Sequence, residues 1–244
     1  SLDMNIAHLN EQVMVVQKEL LLEGSDFENV RLAGTPHIVL EKLSHINRKL
    51  THLRNTSREF SRYQELFGKT VYTYKTLRET TTIFEQRFKL WDSLRTWRHD
   101  EKKWMNDDFR SMDIDAFNDC VTRYFKDANL LHRKINNDVT ALLLDHVEKF
   151  RAKMPTIVEL GNSAMKDRHW ARVYAECMPG EQWTSGLRVK LVNLEEDGCF
   201  SEENIAKISE ISSAASGEQQ IEKSIQDIED SWMDAVFVTA PYRD

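Results

Sequence analysis

The sequence predicts an all-α protein, an elongated antiparallel helical bundle with long heptad-patterned helices, and three observations carry that expectation. Breakers are scarce, with eight Gly and four Pro in 244 residues, too few for a many-turned β protein. Apolar residues recur in alternating steps of four and three over long stretches, which places them on one stripe of a helix. A strand-like run occurs in only one place, Val236-Phe237-Val238 close to the C-terminus.

The first stripe is Leu2, Ile6, Leu9, Val13, Val16 and Leu20. Gly24 to Pro36 interrupts it. The stepping resumes with Val39, Leu43, Ile46, Leu50 and Leu53, passes over Ser57 to Phe60, skips Gln64 and reaches Phe67, Val71 and Tyr74. It then slips to Leu77, with Phe84, Phe88 and Trp91 following. One unbroken helix over 37–104 would be on the order of 100 Å long at ~1.5 Å per residue, and a break near Gly68 is the natural alternative. Asp113 can cap a helix carrying Phe117, Val121, Tyr124, Ala128, Leu131 and Ile135. Asp138 reads as the N-cap of a helix over 139–153. Pro155 suits the first turn of a short helix that ends at Gly161, and Ser163 reads as the cap of another over 164–177. The stretch from Pro179 to Cys199 is the least regular. Ser201 opens a helix with Ile205 and Ile208, and a last helix after Gly217 carries Ile221, Ile225, Ile228 and Trp232. This divides the chain into an N-terminal coiled-coil-like helix and loop (1–36), a long basic helical rod (37–105) and a helical bundle (106–244). The unpaired terminal strand implies that the bundle is part of a larger fold.

Charge is segregated. Residues 37–104 hold fifteen Lys/Arg against eight Asp/Glu, whereas 195–244 hold three against thirteen. The simplest account is two solvated faces of opposite sign. A net charge of −7 gives no reason to expect nucleic acid or an anionic membrane as partner, and no apolar run approaches the ~20 residues of a membrane span. Cys120, Cys177 and Cys199, odd in number and in no CxxC pair, suit a reducing compartment and small core positions. A soluble cytoplasmic protein is expected. The apolar stripe of residues 2–20 has no evident partner and suggests self-association there.

Catalytic chemistry is not legible. Gly68-Lys69-Thr70 imitates the end of a phosphate-binding loop, but Tyr63 stands where the motif requires its first glycine. None of the eight His follows a Glu by three residues, so the paired Glu-x-x-His ligands of a di-iron bundle are missing. Cys177 lacks a recognisable nucleophile context. No catalytic residue, cofactor or metal is expected. The tryptophans Trp91, Trp97, Trp104, Trp170 and Trp232 are expected to be structural aromatics. Around Arg168-His169-Trp170, helical spacing turns Trp170 inward with Val173, Tyr174 and Cys177 and turns Arg168 away. Arg168 and His169 are therefore the candidate interaction surface, with pairing of Arg168 to a nearby acid as the plainer alternative.

Several segments resemble dynein heavy chains, in the N-terminal region that forms the linker. Phe84-Glu85-Gln86-Arg87-Phe88-Lys89-Leu90-Trp91-Asp92-Ser93-Leu94-Arg95 is similar to the family's F-x-x-R-F-x-L-W-D-S-L stretch, and Lys102-Lys103-Trp104-Met105 continues it. Val147-Glu148-Lys149-Phe150, Met154-Pro155 and the run from Asn162 to Trp170 follow in order. Next come Ile208-Ser209-Glu210-Ile211-Ser212 with Ala214-Ala215-Ser216, then Trp232, Phe237 and Pro241-Tyr242-Arg243-Asp244. The resemblance covers about 80–244 and is closer to axonemal, inner-arm chains than to the cytoplasmic motor. Residues 1–75 rest on the heptad pattern alone. The polar stretch from Met178 to Cys199 departs from the family, which has a Leu/Gly-rich helix there. The resemblance implies a mechanical element: a linker that moves over a ring of AAA+ modules and passes force to the tail. Its partners would be the rest of the heavy chain, and its location cytoskeletal, in a cilium or flagellar axoneme. The alternative is a helical scaffold or coiled-coil adaptor that binds partner helices and has no connection to a motor.

Overall fold

The computed structural model describes residues 1–22 and 25–233. Val236-Phe237-Val238 lies outside them, as does the Pro241–Asp244 segment. Nine α-helices occur among the described residues: α1 (Leu2–Leu21), α2 (Pro36–Leu66), α3 (Lys75–Asn106), α4 (Ile114–Ile135), α5 (Asp138–Arg151), α6 (Met154–Leu160), α7 (Asp167–Cys177), α8 (Leu191–Glu196) and α9 (Glu202–Met233). The fold is all-α, as the scarcity of breakers predicts. The chain forms two compact units, one of residues 1–102 with 119–151 and the other of 103–118 with 152–244.

In the first unit, successive helices pack antiparallel. The α1 stripe Ile6, Leu9, Val13, Val16 and Leu20 is buried against α2, whose buried face is Val39, Leu43, Ile46, Leu50 and Leu53. Glu19 near the end of α1 meets Lys49 in the middle of α2 at 3.0 Å. The expected self-association through residues 2–20 is thereby corrected: α2 of the same chain covers the stripe that motivated it. Between α3 and α4, Lys89 meets Asp127 at 3.3 Å and Tyr124 donates to Asp100 at 2.6 Å. At the α4–α5 turn His132 bonds Thr140, and farther along the Arg151 guanidinium lies 4.0 Å over the Phe125 ring.

The 37–105 segment is two helices and not a single rod. Gly68 takes φ +63°, a conformation that costs glycine little. Its N–H bonds the Glu65 carbonyl and the Lys69 N–H bonds that of Gln64, the pair of contacts that defines a Schellman termination. The phosphate-loop-like triplet is thus a helix C-cap. Phe67 and Val71, expected on the stripe, are exposed because the helix has already ended. Ser57 and Gln64 interrupt the apolar stripe yet are buried, and each is satisfied. Ser57 donates to the Arg54 carbonyl, and Gln64 accepts the Tyr72 N–H beyond the break.

Caps decide the other boundaries. Asp113 caps α4 as expected, accepting the Ala116 N–H at 3.0 Å. At α5 the cap is Asn137 and not Asp138. Its Oδ1 accepts the Thr140 N–H and Thr140 Oγ1 accepts the Asn137 N–H, a reciprocal box that Asp138 has no partner to make. Pro155 sits in the first turn of α6. The last two expected helices are one: α9 runs through Gly217, since an exposed glycine costs a helix only ~1 kcal/mol relative to alanine.

In the second unit α6 and α7 pack on α9, around Phe109, Ile157, Leu160, Trp170, Val173, Leu191, Leu194, Ile208 and Ile211. At Gly161 a Cβ would stand 2.4 Å from Ile114 Cγ1. Gly161→Ala is therefore expected to destabilise by about 1–3 kcal/mol, the usual cost of overpacking. Urea denaturation of the single variant and of Gly161→Ala with Ile114→Ala checks the cause, because trimming Ile114 should recover part of the loss.

Cys177 and Cys199 are buried and Cys120 is half-buried, all as free thiols. Burial raises the Cys177 thiol and pushes Cys199 up to about 12, which holds both as unreactive thiols. Maleimide at pH 8 is expected to modify Cys120 quickly and the other two only after unfolding. Equal rates at Cys120 and Cys199, read by peptide mapping, would contradict this placement.

Candidate functional site: the α7–α9 clasp

Helix α7 starts three residues later than the sequence suggests, at Asp167, with Lys166 in the capping position and not Ser163. Lys166 is extended (φ −99°, ψ 170°), so its N–H lies outside the helix and needs an acceptor. His169 supplies it, its Nδ1 accepting that N–H at 3.0 Å. An accepting Nδ1 puts the ring hydrogen of a neutral imidazole on Nε2, and Nε2 faces Glu218 Oε2 of α9 at 3.1 Å.

His169 is only 2% exposed. Its expected role as surface is corrected: the ring is spent on capping α7 and joining it to α9. Arg168 points out, as the helical wheel predicts, but has partners in the same unit. Its Nε donates to Glu218 at 2.8 Å, and its Nη2 reaches both Glu218 and Glu222. Lys166 Nζ meets Glu222 at 2.5 Å. Three basic groups from one turn of α7 therefore hold two carboxylates one turn apart on α9.

Hydrogen bonding from Arg168 holds the Glu218 carboxyl below the usual glutamate range, and Lys166 followed by Arg168 does the same for Glu222. Carboxylates depressed in this way contribute stability at neutral pH that is lost as pH falls through their lowered values. These side chains are exposed, so solvent screens the contribution.

Beneath the clasp is an aromatic stack. Trp170 is 2% exposed, lies parallel to Trp183 with centroids 5.8 Å apart and meets Phe109 edge-on at 6.1 Å. Arg110 covers Trp183 at 5.4 Å and bonds Asp167 at 3.3 Å. The irregular Met178–Cys199 stretch thus supplies Trp183 to the stack, a role that no periodicity in it announces.

The other expected structural aromatics divide. Trp91 is buried and donates from Nε1 to the Phe27 carbonyl at 2.9 Å. Trp97 is buried with edges of Tyr124 and Phe150 at 5.1 and 5.6 Å. Trp104 is half-buried beside Phe117, at 4.7 Å. Trp232 departs from the expectation, being 67% exposed at the end of α9.

Two polar centres were not anticipated. Asn162, just after α6, donates to the Ser212 carbonyl, Ser212 Oγ and Ser216 Oγ, while Ser209 and Ser212 of α9 bond Glu159. In the first unit Glu28 receives both Arg87, at 2.8 Å, and Asn137. The serines alternating with Ile208 and Ile211 are the only sequence signal for the former.

Every part of the clasp is consumed in holding helices to one another. Among the described residues no group of three or more His, Cys, Asp or Glu is placed to hold a metal ion, and no helix is long and apolar enough to cross a membrane. The arrangement is that of a helical packing module. Comparison with known proteins identifies the class: a family model, "Dynein heavy chain, N-terminal region 2", matches residues 77–244. The chain belongs to the dynein heavy-chain family. It is 27% identical over 98% of its length to Dynein axonemal heavy chain 6 of Homo sapiens and 22% identical over 85% to Dynein axonemal heavy chain 1 of Mus musculus. To Dynein axonemal heavy chain 2 of Mus musculus it is 23% identical over 92%. The chain spans 5–6% of the length of these relatives.

Proposed function

We propose that this chain is a non-catalytic mechanical element of a dynein motor, a linker or lever that passes ATP-driven conformational change from the AAA+ ring to the tail. Its family membership is the observation that carries the reading. The chemistry of the folded chain is compatible with it. A lever must keep its helices from sliding, and the α7–α9 clasp, the Asn162 contacts and the Glu28–Arg87–Asn137 centre all bond one helix or turn to another. The partners on this reading are the ring and tail of the same heavy chain. The axonemal names of the relatives favour a ciliary or flagellar cytoskeletal location.

The test is made in the full-length motor. Glu218→Ala with Glu222→Ala removes both acceptors of the clasp without touching a nucleotide site. Microtubule gliding is expected to slow while ATP turnover per motor is retained, the signature of lost transmission. A proportional fall in turnover and gliding, or saturable ATP binding by this chain that disappears with Lys69→Ala, overturns the reading.

A further inference from the structure

The last third of α9 carries an apolar face that no described residue covers. Ile221, Ile225, Ile228 and Trp232 step by four, three and four and are each 50–67% exposed. They continue a seam that is covered earlier in the same helix. Ile211 is fully buried, and Ile225 and Trp232 lie two and three heptads beyond it on one unbroken helix. A side of α9 packed on α6 and α7 thus runs on bare past the clasp at Glu218 and Glu222, where α7 begins.

The flanks of the bare face are acidic. Asp227, Glu229 and Asp230 stand against the single Lys223, and whereas Glu218 and Glu222 are each ion-paired, neither Asp227 nor Glu229 forms an ion pair among the described residues. A stripe in 4–3 steps with charged borders is the form that accepts a second helix. Like-charged borders disfavour pairing of two copies of α9 across the stripe. Opposite charge favours a partner with Lys or Arg beside its apolar positions.

We propose that this face seats a basic amphipathic helix from elsewhere in the same heavy chain, extending the α7–α9 seam over residues 221–232. The seat is about 18 Å long at ~1.5 Å per residue, three turns of a partner. The family is the argument for the source: relatives that this chain matches over 98% of its length are far longer, the match being 6% of Dynein axonemal heavy chain 6. The proposal rests on membership of the heavy-chain family and not on the lever reading, so either can fail while the other stands.

Ile225→Cys provides the test, compared in the 244-residue chain and in the full-length heavy chain. Because the site is exposed, the variant should keep the parent melting temperature in the short chain. The introduced thiol is expected to react with maleimide freely there and to be protected in the full-length protein. A photo-crosslinker at position 225 of the full-length protein is expected to capture a Lys/Arg-flanked helix of the same polypeptide. Equal labelling in the two contexts overturns the proposal. So does a crosslink to a second copy or to a different protein.

Discussion

Trp170→Ala is expected to destabilise the second unit by about 3–5 kcal/mol, the range for truncating a buried aromatic. The indole is enclosed by Trp183 and Phe109, and both rings would face the cavity its removal leaves. Arg168→Ala, two residues away, should shift the melting midpoint little, since exposed ion pairs contribute weakly in water. The contrast between neighbours is what makes the measurement informative. Thermal melts followed by tryptophan fluorescence and near-ultraviolet dichroism would report it. A Trp170→Ala protein that melts like the parent would mean that the indole is a surface group and that the faces of α7 are wrongly assigned.

Glu28→Ala is expected to cost the first unit about 3 kcal/mol, the low end of the range for stripping one partner from a buried charge pair. Arg87 is largely enclosed and Glu28 is one-fifth exposed, so the abandoned guanidinium has little access to water. The Asn137 amide loses its acceptor in the same substitution. Replacing both charges, with Arg87→Met and Glu28→Leu, should cost much less, because no unpaired charge then remains inside. Urea midpoints of the parent, the single variant and the pair decide the matter. A double variant as unstable as Glu28→Ala alone would show that the shape of the side chains, and not their charge, is what the site requires.

Much of the helical skeleton is legible in the sequence, because burial and helical period reinforce each other. The stripes of α1 and of α2 up to Leu53 are read correctly since every apolar member is buried. The same stripe misleads at Phe67 and Val71, which keep the 4–3 stepping although the backbone turns out at Gly68. Pattern registers which residues are apolar, not whether the helix that would align them continues. Caps are harder, because the sequence offers several competent residues in a row. Asn137 prevails over Asp138 because Thr140 can reciprocate, and Lys166 takes the place expected of Ser163 because His169 can accept its N–H.

The candidate site was half legible. Trp170 and Arg168 follow from angular position on one helix, a local property. His169 was misread because its burial depends on Glu218, 49 residues away, and no local rule reports that. The residues that carry the family resemblance turn out to be the interhelical contacts themselves: Arg87 and Trp91 in the first unit, and Asn162, Trp170, Ser209 and Ser212 in the second.

The Glu28–Asn137 hydrogen bond joins residues 109 apart in sequence, whereas α1 with α2, and α4 with α5, are neighbours along the chain. Loop-closure entropy grows with the length enclosed, so these hairpins can collapse before that distant contact forms. The polar centre therefore acts as a latch on an assembly order. Nascent hairpins zip sequentially from local contacts, and only a chain that has brought all of them into register can close it.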